Sequence, residues 1–144
     1  AIGAVTRLRD MGVEPFLLSP TIAGVLAQRL VRRLCEACKE EVEPTAAERD
    51  MLGLKRGERR SIYKPKGCPA CNHTGYEGRV GLYELVVVDE PLRKLIHDDA
   101  GEQALRAEAF KSSASLAQPG YEHVLAGRTS MAEVLQVVQE TEHP

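Results

Sequence analysis

Tryptophan is missing from this chain and aromatic residues are scarce, with four tyrosines and two phenylalanines in 144 residues. A core built from such a sequence has to be largely aliphatic. An excess of positive charge is missing as well: the formal net charge is −2, whereas a dedicated nucleic-acid binder is usually basic overall. No apolar run approaches the roughly 20 residues needed to span a bilayer. The opening Ala1-Ile2-Gly3-Ala4-Val5 has no basic stretch ahead of an apolar one, so it does not read as a signal peptide. It also lacks a start methionine and enters directly into helical periodicity, which reads as a piece cut from something longer. A glycine-rich G-x-x-x-x-G-K-[ST] phosphate loop occurs nowhere. What remains is a globular composition, 43% hydrophobic and 28% charged, long enough for one modest domain or two small units sharing a core.

Cysteine is also sparse, but its placement is informative. The only four cysteines form two pairs, Cys35-Glu36-Ala37-Cys38 and Cys68-Pro69-Ala70-Cys71. Each pair has the spacing of a metal knuckle, in which a tight turn aims both sulfurs at one point, and two knuckles complete a tetrahedral S4 site. With no export signal, paired thiols favour a metal over disulfides. A redox dithiol would need one such pair at the head of a helix in a βαβ setting, which neither pair has. The expected ligands are therefore Cys35, Cys38, Cys68 and Cys71, around Zn²⁺ or, with similar ligands, iron. Four sulfurs leave no open coordination position, so the site is structural and a catalytic zinc enzyme fails on coordination. Its surplus negative charge calls for donors, for which backbone N–H groups after each second cysteine, with Arg33, Lys39, Lys64 or Lys66, are candidates. Gly67 and Gly75 flank the second knuckle, where positive φ is often needed. His73 is superfluous as a ligand, and His97, His123 and His143 are scattered surface or helix-terminal histidines.

Along the chain, Ile2, Val5, Leu8 and Met11 followed by Gly12 predict a short helix. Ser19-Pro20 reads as the start of another, with Ile22, Leu26, Leu30 and Leu34 as its apolar stripe and Arg29, Arg32 and Arg33 on other faces. Those arginines suit a solvated face, or contact with an acidic neighbour or phosphate. The 29 residues from Lys39 to Gly67 exceed the ~15–20 of a plain zinc ribbon. A helix opened by a capping box at Thr45 and Glu48, an exposed basic turn from Lys55 to Arg60, and a short strand over Ser61-Ile62-Tyr63-Lys64 account for the excess. With few large apolar residues there, metal is expected to supply much of the folding free energy, on the order of 10 kcal/mol. The inter-knuckle helix region, with Glu48, Arg49, Asp50, Lys55 and Arg56, offers polar surface but no apolar hot spot, which favours a scaffold over a docking site. Val80 to Val88 is the best strand. Helices follow from Asp89, from Glu102 to Phe110, from Leu116 to Leu125 with an interruption at Pro119-Gly120, and from a capping box at Ser130-Met131-Ala132-Glu133.

The string from Val25 to Lys39, VLAQRLVRRLCEACK, and that from Gly67 to Leu85, GCPACNHTGYEGRVGLYEL, closely resemble the C-terminal third of the type II secretion and type IV pilus assembly ATPases. The opening AIGAVTRL and the closing GRTSMAEVL match the same family, so the resemblance covers nearly the whole chain. It implies an α+β, mainly α fold: residues 1–34 as the helical end of a RecA-like ATPase core, 35–78 as a tetracysteine zinc insertion, and 79–144 as a returning strand and C-terminal helical unit. It implies a hexameric parent motor that hydrolyses ATP with Mg²⁺ at the cytoplasmic face of the inner membrane. That motor drives pseudopilus or pilus assembly with membrane-anchoring secretion platform proteins as partners. The phosphate loop and acidic Mg²⁺ partner lie upstream of residue 1 in the family, so this stretch alone is not expected to hydrolyse ATP. The family usually carries a charged, uninterrupted helix around Ala117-Gln118-Pro119-Gly120. A stand-alone zinc-ribbon module for nucleic acid or protein is the alternative of a different class. Arg56, Arg59, Arg60, Lys64, Lys66 and Tyr63 speak for it, and Glu36, Glu40, Glu41, Glu43 and Glu48 against.

Overall fold

The computed structural model describes residues 1–111 and 115–142. Its contacts fall into two units, residues Ala1–Gln28 with Tyr83–Ser115 and residues Arg29–Leu82 with Leu116–Pro144. Two long strands, β1 (Gly24–Leu34) and β4 (Tyr76–Val87), pair with each other, and the division cuts through both. Val88 N–H donates to the Ala23 carbonyl at one end and Cys35 N–H to the Gly75 carbonyl at the other, so the ribbon is antiparallel.

In the first unit, α1 (Gly3–Asp10) and α2 (Pro15–Thr21) precede the ribbon, and α4 (Glu90–His97) and α5 (Glu102–Ala109) follow it. The three-residue apolar spacing of α1 puts Ile2 and Val5 into a core with Leu18, Val86, Leu92, Ile96 and Leu105. Asp89 starts α4 as expected, its Oδ1 accepting from Leu92 N–H at 3.1 Å. Arg9 donates to Asp99 Oδ1 and to the Ala100 carbonyl, each at 2.7 Å, which ties α1 to the turn between α4 and α5.

The predicted helix from Ser19-Pro20 to Leu34 does not form. Pro20 lies near the end of α2, where it has no N–H for the carbonyl four residues back, and the chain turns extended at Ile22. The i+4 spacing of Ile22, Leu26, Leu30 and Leu34 is also two full repeats of a strand, so the same pattern fits both elements. Pairing with β4 decides between them. The outcome splits the stripe: Leu26 and Leu30 are 64% and 49% exposed, while Leu34 is buried as expected, along with Val31 from outside the stripe.

The second unit carries the segment between the knuckles and two C-terminal helices. Short strands β2 (Glu40–Val42) and β3 (Ile62–Lys64) pair antiparallel, with Val42 opposite Ile62 and Glu40 opposite Lys64. Between them lies α3 (Ala46–Met51), closed by the expected reciprocal bonds between Thr45 and Glu48. The sparse apolar residues of this segment are not stranded. Leu52 and Ile62 join Val124, Met131 and Val134 of α6 (Ala117–Leu125) and α7 (Met131–Glu142) in one cluster. Apolar burial therefore contributes to holding this segment, poor in large apolar residues as it is.

Pro119-Gly120 does not interrupt α6. Pro119 is the third residue of the helix, where its missing N–H would have found no intrahelical acceptor. Gly120 is there because α7 is close: a Cβ would sit 2.6 Å from Val134 Cγ1. Gly120→Val is expected to destabilise the unit by about 1–3 kcal/mol through overpacking, outweighing the few tenths gained in helix propensity. A lowered urea midpoint at unchanged slope would register it.

Candidate metal centre

Backbone geometry brings the two cysteine pairs together. At the first, Lys39 N–H and Cys38 N–H both donate to the Cys35 carbonyl, which closes the turn. At the second, a single 3₁₀ turn, Pro69–Cys71, is followed by Asn72 and His73 at φ +54° and +61°, and His73 N–H returns to the Cys68 carbonyl at 2.8 Å. The strands do the rest. β2 starts two residues after Cys38 and β3 ends four residues before Cys68, so their pairing brings the inner ends of the knuckles together. The Cys35 N–H to Gly75 carbonyl bond, 3.0 Å, does the same for the outer ends.

As a result the Sγ atoms of Cys35, Cys38, Cys68 and Cys71 all lie within 4.8 Å of one another. Three of the distances, Cys35–Cys68, Cys38–Cys71 and Cys68–Cys71, are 3.8 Å. A disulfide needs about 2.05 Å. A tetrahedron with metal–sulfur bonds of ~2.3 Å has edges of about 3.8 Å, so the arrangement matches an S4 metal site and not cross-linked thiols. Among the described residues this is the only group of ligating side chains close enough to hold an ion. His73 is exposed and outside it. His97 is an exposed residue at the end of α4, and His123 lies beside Arg128 at 3.2 Å. His143 falls outside the described residues.

The sulfurs are not equivalent. Burial pushes the Cys35 thiol up to about 11 and raises Cys38 as well. Burial also works against a Cys71 thiolate, but there it is outweighed. N–H groups of Cys68 and Gly75, each 3.2 Å from Cys71 Sγ, help bring that thiol down to about 6. The expected lysine donors are engaged elsewhere: Lys64 and Lys66 face Glu40, and Lys39 donates to the Gly127 carbonyl while lying over the Tyr63 ring. Backbone amides, the other expected source, carry the compensation that is seen.

One pair of residues was misread from sequence. The reciprocal capping box expected at Ser130 is only half formed: Glu133 N–H donates to Ser130 Oγ. The Glu133 carboxylate instead takes Arg32 N–H on Oε2 and the Arg32 guanidinium, Nε and NH2, on Oε1, at 2.7–2.9 Å. The guanidinium also stacks 4.1 Å from the Tyr76 ring centre. Of the readings open for the arginines, Arg32 follows the acidic-neighbour one. Local sequence carried no signal for this contact, which joins positions 101 residues apart.

Comparison with known proteins identifies the family. The family model for type II/IV secretion system proteins matches residues 1–136. The chain belongs to that family. It is 49% identical over 141 residues to the type II secretion system ATPase E of Vibrio cholerae, covering 98% of this chain and 28% of that protein. Type II secretion system protein E of Aeromonas hydrophila is 48% identical, and that of Pseudomonas aeruginosa 49%, each over 97% of this chain and 28% of theirs. The chain thus spans 28% of the length of these secretion relatives.

Gly75 is the residue on which the second knuckle most depends. Its φ is +82° and a Cβ there would lie 2.4 Å from Pro65 Cβ, while its N–H and C=O serve Cys71 and Cys35. Gly75→Ala is expected to cost at least about 1–2 kcal/mol from the left-handed backbone alone. A lower melting temperature and faster loss of metal to a chromogenic chelator are the readouts.

Proposed function

We propose that this chain is the zinc-bearing C-terminal portion of a hexameric cytoplasmic ATPase that powers type II protein secretion by driving pseudopilus assembly. Two observations support this reading. Near-complete coverage by relatives named for type II secretion, one of them named an ATPase, carries the secretion assignment. The four sulfurs at tetrahedral spacing carry the zinc assignment, with Cys35, Cys38, Cys68 and Cys71 as ligands. When bound, the ion supplies a closed cross-link between the knuckles and no catalytic water.

The wider placement follows from the same reading. Within the first unit the ribbon exposes Leu26, Tyr83, Leu85 and Val87, each 55–64% accessible. A two-stranded ribbon with such side chains uncovered is marginal by itself and suits burial against further layers of a larger domain, which supports membership of a RecA-like core. In this scheme residues 35–78 are an insertion in that core, and of the helices after β4, α4 and α5 pack with α1 and α2 while α6 and α7 pack with the insertion. ATP and Mg²⁺ are bound by upstream parts of the parent, and this stretch alone does not turn over ATP. The parent works at the cytoplasmic face of the inner membrane with platform proteins as partners. Among the described residues no helix is long and apolar enough to cross a membrane. Glu40, 3.7 and 3.8 Å from Lys64 and Lys66, offsets part of the charge that a nucleic-acid module would use.

Replacing Cys35 or Cys68 with Ser in the parent is expected to abolish zinc retention and strongly reduce secretion by a strain that depends on it. Full metal content with normal secretion would sink the proposal. Loading the metal-free chain with Zn²⁺ near neutral pH is expected to release at least about two protons, Cys35 and Cys38 among their sources because burial keeps those thiols protonated there. Zinc affinity therefore falls as pH falls. Calorimetry in buffers of different ionisation enthalpy gives the proton count.

A further inference from the structure

The closing motif Gly127-Arg128-Thr129-Ser130 lies between α6 and α7, and every part of it meets a residue that flanks the cysteines. The Gly127 carbonyl accepts from Lys39 Nζ at 3.0 Å, one residue past Cys38. The Arg128 carbonyl accepts from Leu34 N–H at 2.8 Å, one residue before Cys35. Thr129 is fully buried and its hydroxyl donates to the Arg32 carbonyl at 2.7 Å. Ser130 Oγ lies 2.8 Å from the Tyr76 hydroxyl, just beyond the second knuckle. Gly127 has φ +76°, and the space for a side chain there is also taken: a Cβ would be 3.1 Å from the Tyr63 ring and 3.2 Å from Lys39 Nζ.

We propose that this turn is a latch through which metal occupancy and the order of the α6–α7 helix pair are coupled. The inference rests on the zinc reading above. Its logic is that the turn's two carbonyls and the buried Thr129 hydroxyl keep these partners while the two knuckles hold residues 32–39 and Tyr76 in place. Without the ion, the knuckles lose part of what fixes those partners, and the polar groups of the turn, Thr129 the most deeply buried, are left to seek others. Coupling of this kind is reciprocal. Whatever the ion contributes to ordering the turn, the ordered turn returns as tighter ion binding, although it supplies no ligand. A stretch about sixty residues beyond the last cysteine then helps set the affinity of the site.

The test uses the 144-residue chain loaded with zinc. Amide exchange in α7 is expected to accelerate about tenfold or more when a chelator removes zinc, while α4 and α5 change little. In chelator competition, Thr129→Val and Gly127→Ala are expected to weaken zinc binding about tenfold. Ile96→Val, which trims the core of the first unit without touching the latch or the α6–α7 pair, is expected to leave zinc affinity unchanged. Zinc binding with α7 exchange unaffected would overturn the latch, as would equal weakening by Ile96→Val, which would point to general loosening. A wild-type chain that takes up no zinc at all would overturn the metal reading itself.

Discussion

Sulfurs at 3.8 Å, drawn from positions 33 residues apart, impose the constraint around which the second unit is organised. As thiolates they repel one another, and even around a divalent cation they leave surplus negative charge in a partly buried place. Something must hold the loop closed and something must answer that charge. Strand pairing on both sides of the knuckles does the first, through β2–β3 inside the loop and the Cys35–Gly75 bond outside it. Backbone N–H groups aimed at Cys71 do the second. The result is a spread of thiol acidities, from about 6 at Cys71 to about 11 at Cys35, created by burial and amide donors in one small cluster.

The same constraint explains where the unusual polar groups of the unit sit. Thr129, Ser130 and Glu133 are its buried or nearly buried polar side chains, and each is satisfied by a residue close to the knuckles or on the strand leading into them. Buried groups of this kind are costly unless paired, so they fix one arrangement of turn and strand over looser ones. An aliphatic cluster from Leu52 and Ile62 to Val134 backs that arrangement from the other side. Clustered sulfurs, hydrogen bonds and apolar burial thus meet in one small region, whose stability does not rest on a single source.

Legibility in the sequence followed the range of the interaction. The α3 capping box, the Asp89 cap, the basic turn with Gly57 and the strand through Val80–Val87 were readable because each depends on neighbours a few residues away. β1 was misread because an i+4 apolar stripe fits two periods at once, and the deciding partner, β4, lies some fifty residues downstream. Glu133 was assigned to its own helix end because a local acceptor rule competes with a long-range cation that no local pattern reveals. Pro119 and Gly120 looked like breakers because their compatibility depends on position within the first turn and on the proximity of α7.

By itself, then, the order of residues determined the cysteine set, the closed S4 chemistry it suits, most of the helices and the family to which the chain belongs. Turn geometry, capping and ligand spacing are written over short intervals, so those features needed no knowledge of the fold. Tertiary structure alone decided that residues 24–34 are a strand with Leu26 and Leu30 facing outward, that Arg32 meets Glu133, and that the Gly127–Ser130 turn rests against the knuckles. Those outcomes turn on which distant segments pair and bury one another, and pairing energy is a property of two stretches of chain rather than of either one.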